Sequence, residues 1–145
     1  MSLSHVPHHY GLMSLKSDYS SAPLSIFAQR VFLPTRNLSE SIDFYLAMGW
    51  TLEFREETIA LVELGAARFL LQAVYLREMA ENMIVHLTVN DAAAWYRRAL
   101  RLQREDHFST ITVCAPEQTD YGAIVTHVID PAGVILQFAE LRPLP

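Results

Sequence analysis

The chain has 145 residues, 51% hydrophobic and 19% charged, with a formal net charge of −5. A length of this order makes one domain that buries roughly 68–70% of the surface its unfolded chain exposes, and no apolar run approaches the roughly 20 residues that span a bilayer. The acidic balance leaves no electrostatic footprint for nucleic acid or an anionic membrane, and a lone cysteine, Cys114, excludes an intrachain disulfide and fits a reducing, cytoplasmic setting.

Residues 1–24 mix Ser, His, Pro and Gly without a period, and no positively charged start precedes a long apolar run as in a secretory signal. They predict a flexible arm ahead of a single domain over 25–145. His5, His8 and His9 cluster there; short His-rich tracts can bind metal, but an unstructured surface cluster is the simpler account.

Ile26 to Leu33 is rich in strand formers and ends at Pro34, which predicts the first strand. Asn37 followed by Glu40 is a helix-start spacing, Leu38, Ile42, Tyr45 and Leu46 repeat at helical intervals, and Gly49 follows as a C-terminal cap, so a helix runs from Leu38 to about Met48. Trp50 to Arg55, Ile59 to Leu64 and Ala67 to Val74 read as three strands split by Glu56-Glu57-Thr58 and Gly65-Ala66. A polar connector leads to a strand over Met83 to Val89. Asn90-Asp91 then caps a helix whose apolar stripe is Ala92, Trp95, Tyr96, Ala99 and Leu100, ending near Leu102.

Thr110 to Ala115, Ala123 to Ile129 and Val134 to Leu141 supply the last strands. Asp130, Pro131 and Gly133 occupy the positions a type I turn prefers, so the final two strands form a tight hairpin. Side-chain alternation puts Val134, Leu136 and Phe138 on one face and Ile135, Gln137 and Ala139 on the other, leaving Gln137 either a solvent-facing amide or a group directed into a concavity. The order β-α-β-β-β occurs twice, over about 25–76 and 83–145. Each half is too small to close a core alone, and two halves together predict a curved sheet with helices on its outer side and a cleft within.

Two stretches and the closing hairpin carry a family resemblance. Arg30 to Tyr45 resembles the opening strand and helix of the glyoxalase, bleomycin-resistance and extradiol-dioxygenase superfamily, also called vicinal oxygen chelate; His86 to Tyr96 resembles its second-half counterpart, and Asp130-Pro131-Ala132-Gly133 with Val134 to Glu140 resembles its closing hairpin. The resemblance implies an α+β fold of two βαβββ modules forming a curved, cup-shaped mixed sheet with helices outside, commonly completed by homodimerisation. Many members hold a divalent metal with ligands from the first and last strand of each module. Carried over by spacing, those positions fall on Arg30, Gln72, Ile84 (with His86 two residues on) and Gln137.

Arg30 has no lone pair to give, Ile84 has no ligand atom, and Gln72 and Gln137 are neutral amides, so the set departs from metal binding. The same residues suit an organic ligand. A guanidinium meets a carboxylate, phosphate or sulfate, and two amides both donate and accept. The competing reading of Arg30 is a salt bridge to Glu53 or Glu140, and that of Gln72 an amide satisfying a neighbouring strand. His86 and His127 are read as neutral, hydrogen-bonded strand residues or as acid-base groups of the cup, Cys114 as a buried and inert thiol, and Tyr121 beside Gly122 as an aromatic at the pocket rim. The expected protein is therefore a homodimeric, metal-free, cofactor-free cup that sequesters a small anionic or aromatic ligand through Arg30, Gln72, His86, Tyr121 and Gln137. The alternative is a metal-dependent lyase, isomerase or dioxygenase of the same superfamily.

Overall fold

The computed structural model describes residues 23–105 and 108–142; the arm predicted over 1–24 and its histidine cluster lie almost entirely outside them. Among the described residues the order is β1 (Val31–Pro34), α1 (Leu38–Met48), β2 (Thr51–Arg55), β3 (Ile59–Leu64), β4 (Ala67–Gln72), α2 (Arg77–Ala80), β5 (Ile84–Thr88), α3 (Ala92–Glu105), β6 (Thr112–Gln118), β7 (Ala123–Ile129) and β8 (Ile135–Leu141). The strands make two four-stranded mixed sheets in the orders β1-β4-β3-β2 and β5-β8-β7-β6. In each, the first and last strand of the module run parallel and the rest antiparallel. This is the duplicated α+β architecture that the sequence predicts.

The local signals act as their chemistry requires. Asn37 Oδ1 accepts from the Glu40 amide at 3.0 Å, and Gly49, at φ 124°, donates back to Leu46 and Tyr45 and so ends α1. Asp91 Oδ1 accepts from the Ala94 amide at 3.0 Å, while Glu140 Oε1, from β8, takes the Ala92 amide at 3.0 Å and adds negative charge at the positive end of α3. Asp130 Oδ1 accepts the amides of both Ala132 and Val134 at 2.9 Å, which locks the β7–β8 turn.

Three differences from the expected elements have a physical reason. β1 starts at Val31 rather than Ile26, because its partner β4 begins at Ala67 and the register Val31↔Phe69 leaves little opposite the residues before Arg30. β6 runs to Gln118 through a bulge between Cys114 and Glu117 that accommodates Pro116 on an edge strand. The connector after β4 contains the four-residue helix α2, too short for any period to betray.

One apolar cluster takes residues from the helix-covered faces of both sheets and from both long helices: Leu33, Val62, Phe69 and Leu71 from the first sheet, Val128, Leu136 and Phe138 from the second, with Tyr45, Met48, Ala99 and Leu102 between. An aromatic ladder crosses the seam, with Tyr45 against Trp50 at 5.4 Å, Trp50 against Trp95 at 5.9 Å, and Trp95 stacked on Phe138 at 4.5 Å. The Tyr45 hydroxyl donates to Asp130 Oδ2 at 2.7 Å, tying α1 of the first module to the closing turn of the second. Burial raises the Asp130 carboxyl above its ordinary range against the pull of this bond and of three backbone amides; burial, then Asp130 itself, pushes the Tyr45 phenol well up. In α1, Phe44 is buried and Leu46 exposed, because Phe44 packs edge-on against Phe108 from the second module, a neighbour the helical stripe does not announce.

Candidate functional site

Each sheet turns one face to its helix and the other away. On the second sheet's far face the register aligns a transverse row of side chains, His86 on β5, Gln137 on β8, His127 on β7 and Cys114 on β6. Residues paired across strands share a face, so these four side chains follow one another across the sheet. Gln137 Nε2 lies 3.4 Å from His127 Nε2, a bond in which the amide donates when that ring nitrogen carries no proton. One row away lie Ile84, Ile135 and Ile129, and on the other side Thr88, Ala139 and Val125. The result is a polar strip between apolar strips, and Gln137 is neither a bulk-solvent amide nor an isolated one.

Cys114 corrects an expectation. It is exposed, because β6 is an edge strand and Cys114 points to the face without a helix. Tyr121, in the β6–β7 turn, is 58% exposed and lies near Leu141, four residues along β8 from Gln137. It stands at the end of the sheet rather than over the row.

The first sheet's far face carries Arg30, Phe32, Arg68, Leu70, Gln72, Leu61 and Glu63. Arg30 Nε and Arg68 Nε each lie 3.9 Å from Glu63 Oε1, so the salt-bridge reading of Arg30 holds with a different carboxylate from Glu53 or Glu140. Both guanidiniums thus lie beside the same carboxylate. These pairs are long and about a third exposed, so each contributes at most about 1 kcal/mol to stability. Gln72 is opposite Pro34 and Ile59, and lines a small cavity of roughly 290 Å³ with Thr58 and Val74. Arg30 and Gln72 thus belong to one sheet, His86 and Gln137 to the other. The structure brings together the members of each pair on one face.

A larger cavity, roughly 550 Å³, opens where the modules meet. The β3–β4 turn (Leu64 to Ala67) lies on one side, the β5 edge from His86 to Asn90 on the other, and Trp50, Trp95 and Phe138 also line it.

The positions that would hold a divalent metal do not suit one. Arg30 is ion-paired and offers only N–H groups, Ile84 is 60% exposed with no donor atom, and Gln72 and Gln137 present neutral amides. Among the described residues no three His, Cys, Asp or Glu side chains group so as to hold an ion.

Glu63 and Arg68 belong to the far faces as much as the residues singled out from sequence, and His127 takes its place there opposite Gln137. Each is reachable by counting outward from a turn. Around Asp130 to Gly133, the pairing Ile129↔Ile135 places His127 opposite Gln137; around Gly65-Ala66, Leu64↔Ala67 places Glu63 opposite Arg68.

No protein-family model and no curated protein matches the sequence. Solved structures do. A bleomycin-binding protein complexed with bleomycin is similar with a TM-score of 0.66 and 20% identity, over 81% of this chain and 100% of that one. A bleomycin resistance determinant encoded on the transposon Tn5 has a TM-score of 0.68 and 21% identity over 81% and 100%. Lactoylglutathione lyase from Agrobacterium tumefaciens has a TM-score of 0.60 and 16% identity over 81% and 95%. With its paired βαβββ modules and its strand order, the chain has the fold of the glyoxalase, bleomycin-resistance and dioxygenase proteins.

Proposed function

We propose that the protein is a metal-free small-molecule-binding protein of the glyoxalase and bleomycin-resistance type, which sequesters an anionic or aromatic ligand in a cup completed by a second copy of the chain. The observation that carries this reading is the aligned row of His86, Gln137 and His127 on a sheet face that bears no helix. Such a row offers an amide and two imidazoles between apolar strips, the composition of a ligand floor rather than of a core. Arg30 and Arg68 supply guanidiniums beside Glu63, and Gln72 a further amide, on the corresponding face of the other sheet. Both helix-covered faces back onto one shared core, so a cup walled by both far faces draws its two walls from two copies. Tyr121 stands at the rim. A protein of this fold has been seen complexed with bleomycin.

A metal-dependent lyase, isomerase or dioxygenase is the weaker reading, because the donors at the ligand positions are a guanidinium, an alkyl group and two amides. Native mass spectrometry of the untagged protein tests the choice. A dimer that takes up bleomycin or an aromatic carboxylate without metal, with uptake reduced by Gln137→Ala and by Arg30→Ala, is the expected result. One tightly held transition metal per chain, lost on Gln137→Ala, refutes it.

A further inference from the structure

The cavity at the module seam borders the free edge of β5 rather than the far faces, and of the residues proposed for the cup only His86 also lines it. We propose that it is a second small-molecule site, built for a flat heteroaromatic molecule that carries a hydrogen-bond donor and acceptor side by side. Its volume of roughly 550 Å³ is that of a small-molecule site.

The wall is rigid and aromatic. The Trp50 indole N–H is already committed to the Ala67 carbonyl at 3.1 Å, which fixes the ring and leaves only its π surface to a ligand. Trp95 lies stacked on Phe138, 13° from parallel, and meets Trp50 at 61°. Flat rings bind such surfaces by offset or edge contacts. At the mouth, Gly65 sits at φ 56°, where an added Cβ has no neighbour within 4 Å, so the turn leaves the entrance clear.

The polar edge comes from the backbone. Among the described residues β5 pairs with β8 on one side and is the sheet's edge on the other. The Val89 amide donates to Ala139, and the Met83 carbonyl accepts from Ile135, so the odd-numbered residues direct their main-chain groups at β8. In a parallel strand alternate residues face opposite sides. His86 and Thr88 therefore turn their carbonyls and amides to the free edge, and that edge borders the cavity. The His86 carbonyl and the Thr88 amide are consecutive along it, an acceptor and a donor that a heteroaromatic with adjacent N–H and ring nitrogen matches. Backbone groups at an apolar cavity require such a partner or water.

The chain has two tryptophans, Trp50 and Trp95, and both line the cavity, so their indole N–H signals in a ¹H–¹⁵N spectrum report on it directly. Titration of the full chain with 7-azaindole at millimolar concentration is expected to move both signals saturably. Indole, which lacks the ring acceptor and strands the Thr88 amide, binds about tenfold more weakly. Ala66→Phe, at the exposed rim, abolishes the shifts, while Gln137→Ala leaves them intact. Should Ala66→Phe fail to fold, the azaindole–indole comparison on the native chain decides alone. The proposal is overturned by unmoved indole signals, by equal affinity for the two probes, by loss of the shifts in Gln137→Ala, or by signals that move on protein dilution, which would place a second copy in the cavity.

Discussion

Replacing Tyr45 by Phe removes one oxygen atom from the seam and should cost more at neutral than at acid pH. Tyr45 is fully buried, and its hydroxyl is 2.7 Å from Asp130 Oδ2, while the other carboxylate oxygen takes the Ala132 and Val134 amides. A hydrogen bond to a charged group contributes about 1.5–3 kcal/mol, against about 0.5–1.5 kcal/mol for a neutral pair. The sign of the pH dependence follows from Asp130. Burial raises its folded pKa above the unfolded value, so its contribution to stability is fully present below the unfolded pKa and is lost as pH rises through the folded one. The Tyr45 bond opposes that rise by stabilising the carboxylate, so deleting it hurts most where the carboxylate is ionised. Urea denaturation of wild type and Tyr45→Phe at pH 4, 5.5 and 7 should give a penalty near 1 kcal/mol at the acid end, growing to about 2 kcal/mol at pH 7, roughly a 4–8 °C fall in midpoint for a chain of this size. A penalty that is flat across that range, or under about 0.5 kcal/mol throughout, would refute the assignment of the Tyr45–Asp130 bond as a charge-assisted tie across the seam.

Asp130→Asn keeps the acceptor for the turn amides but removes the buried charge, so the stability of wild type relative to this variant should be greatest at low pH and decline toward pH 7, as read by the same denaturation series. Gly133→Ala combines φ 103° with a new Cβ 3.1 Å from Glu81 and should lose about 1–2 kcal/mol, whereas Gly65→Ala, also at positive φ but with open space around it, should lose less; thermal melts of the pair separate steric crowding from backbone strain. Glu140→Ala strips the cap from the Ala92 amide and should cost about 1 kcal/mol in the same assay. Cys114 is exposed and should react stoichiometrically with a thiol reagent in the folded protein, without denaturant; a thiol that titrates only on unfolding would contradict its position on the edge strand.

What the sequence discloses divides along the range of the interactions involved. Asn37, Gly49, Asp91 and the Asp130–Gly133 turn act within four residues of themselves, and each does in the structure what its spacing predicts. The alternation of β8 places Gln137 on its face without reference to any neighbour. Pairings across strands are harder, although counting from the two hairpin turns reaches His127 and Arg68. The Glu140 cap joins residues 48 apart in sequence, and the seam cavity depends on how two modules are oriented. No local pattern encodes either. Arg30 is the intermediate case: its charge predicts an ion pair, but a strand of unknown register cannot choose among Glu53, Glu63 and Glu140.

The shared core also sets a condition on biosynthesis. When the first 80 residues have emerged, Leu33, Val62, Phe69 and Leu71 already form a greasy sheet face, yet the side chains that shield it from solvent, from Ala99 to Phe138, have not all been translated. At roughly 5–20 residues per second the remainder takes about 3–13 s to appear. During that interval the nascent half is a target for chaperones, and a ribosome stalled in the connector after β4 would release a sticky fragment rather than a small working domain.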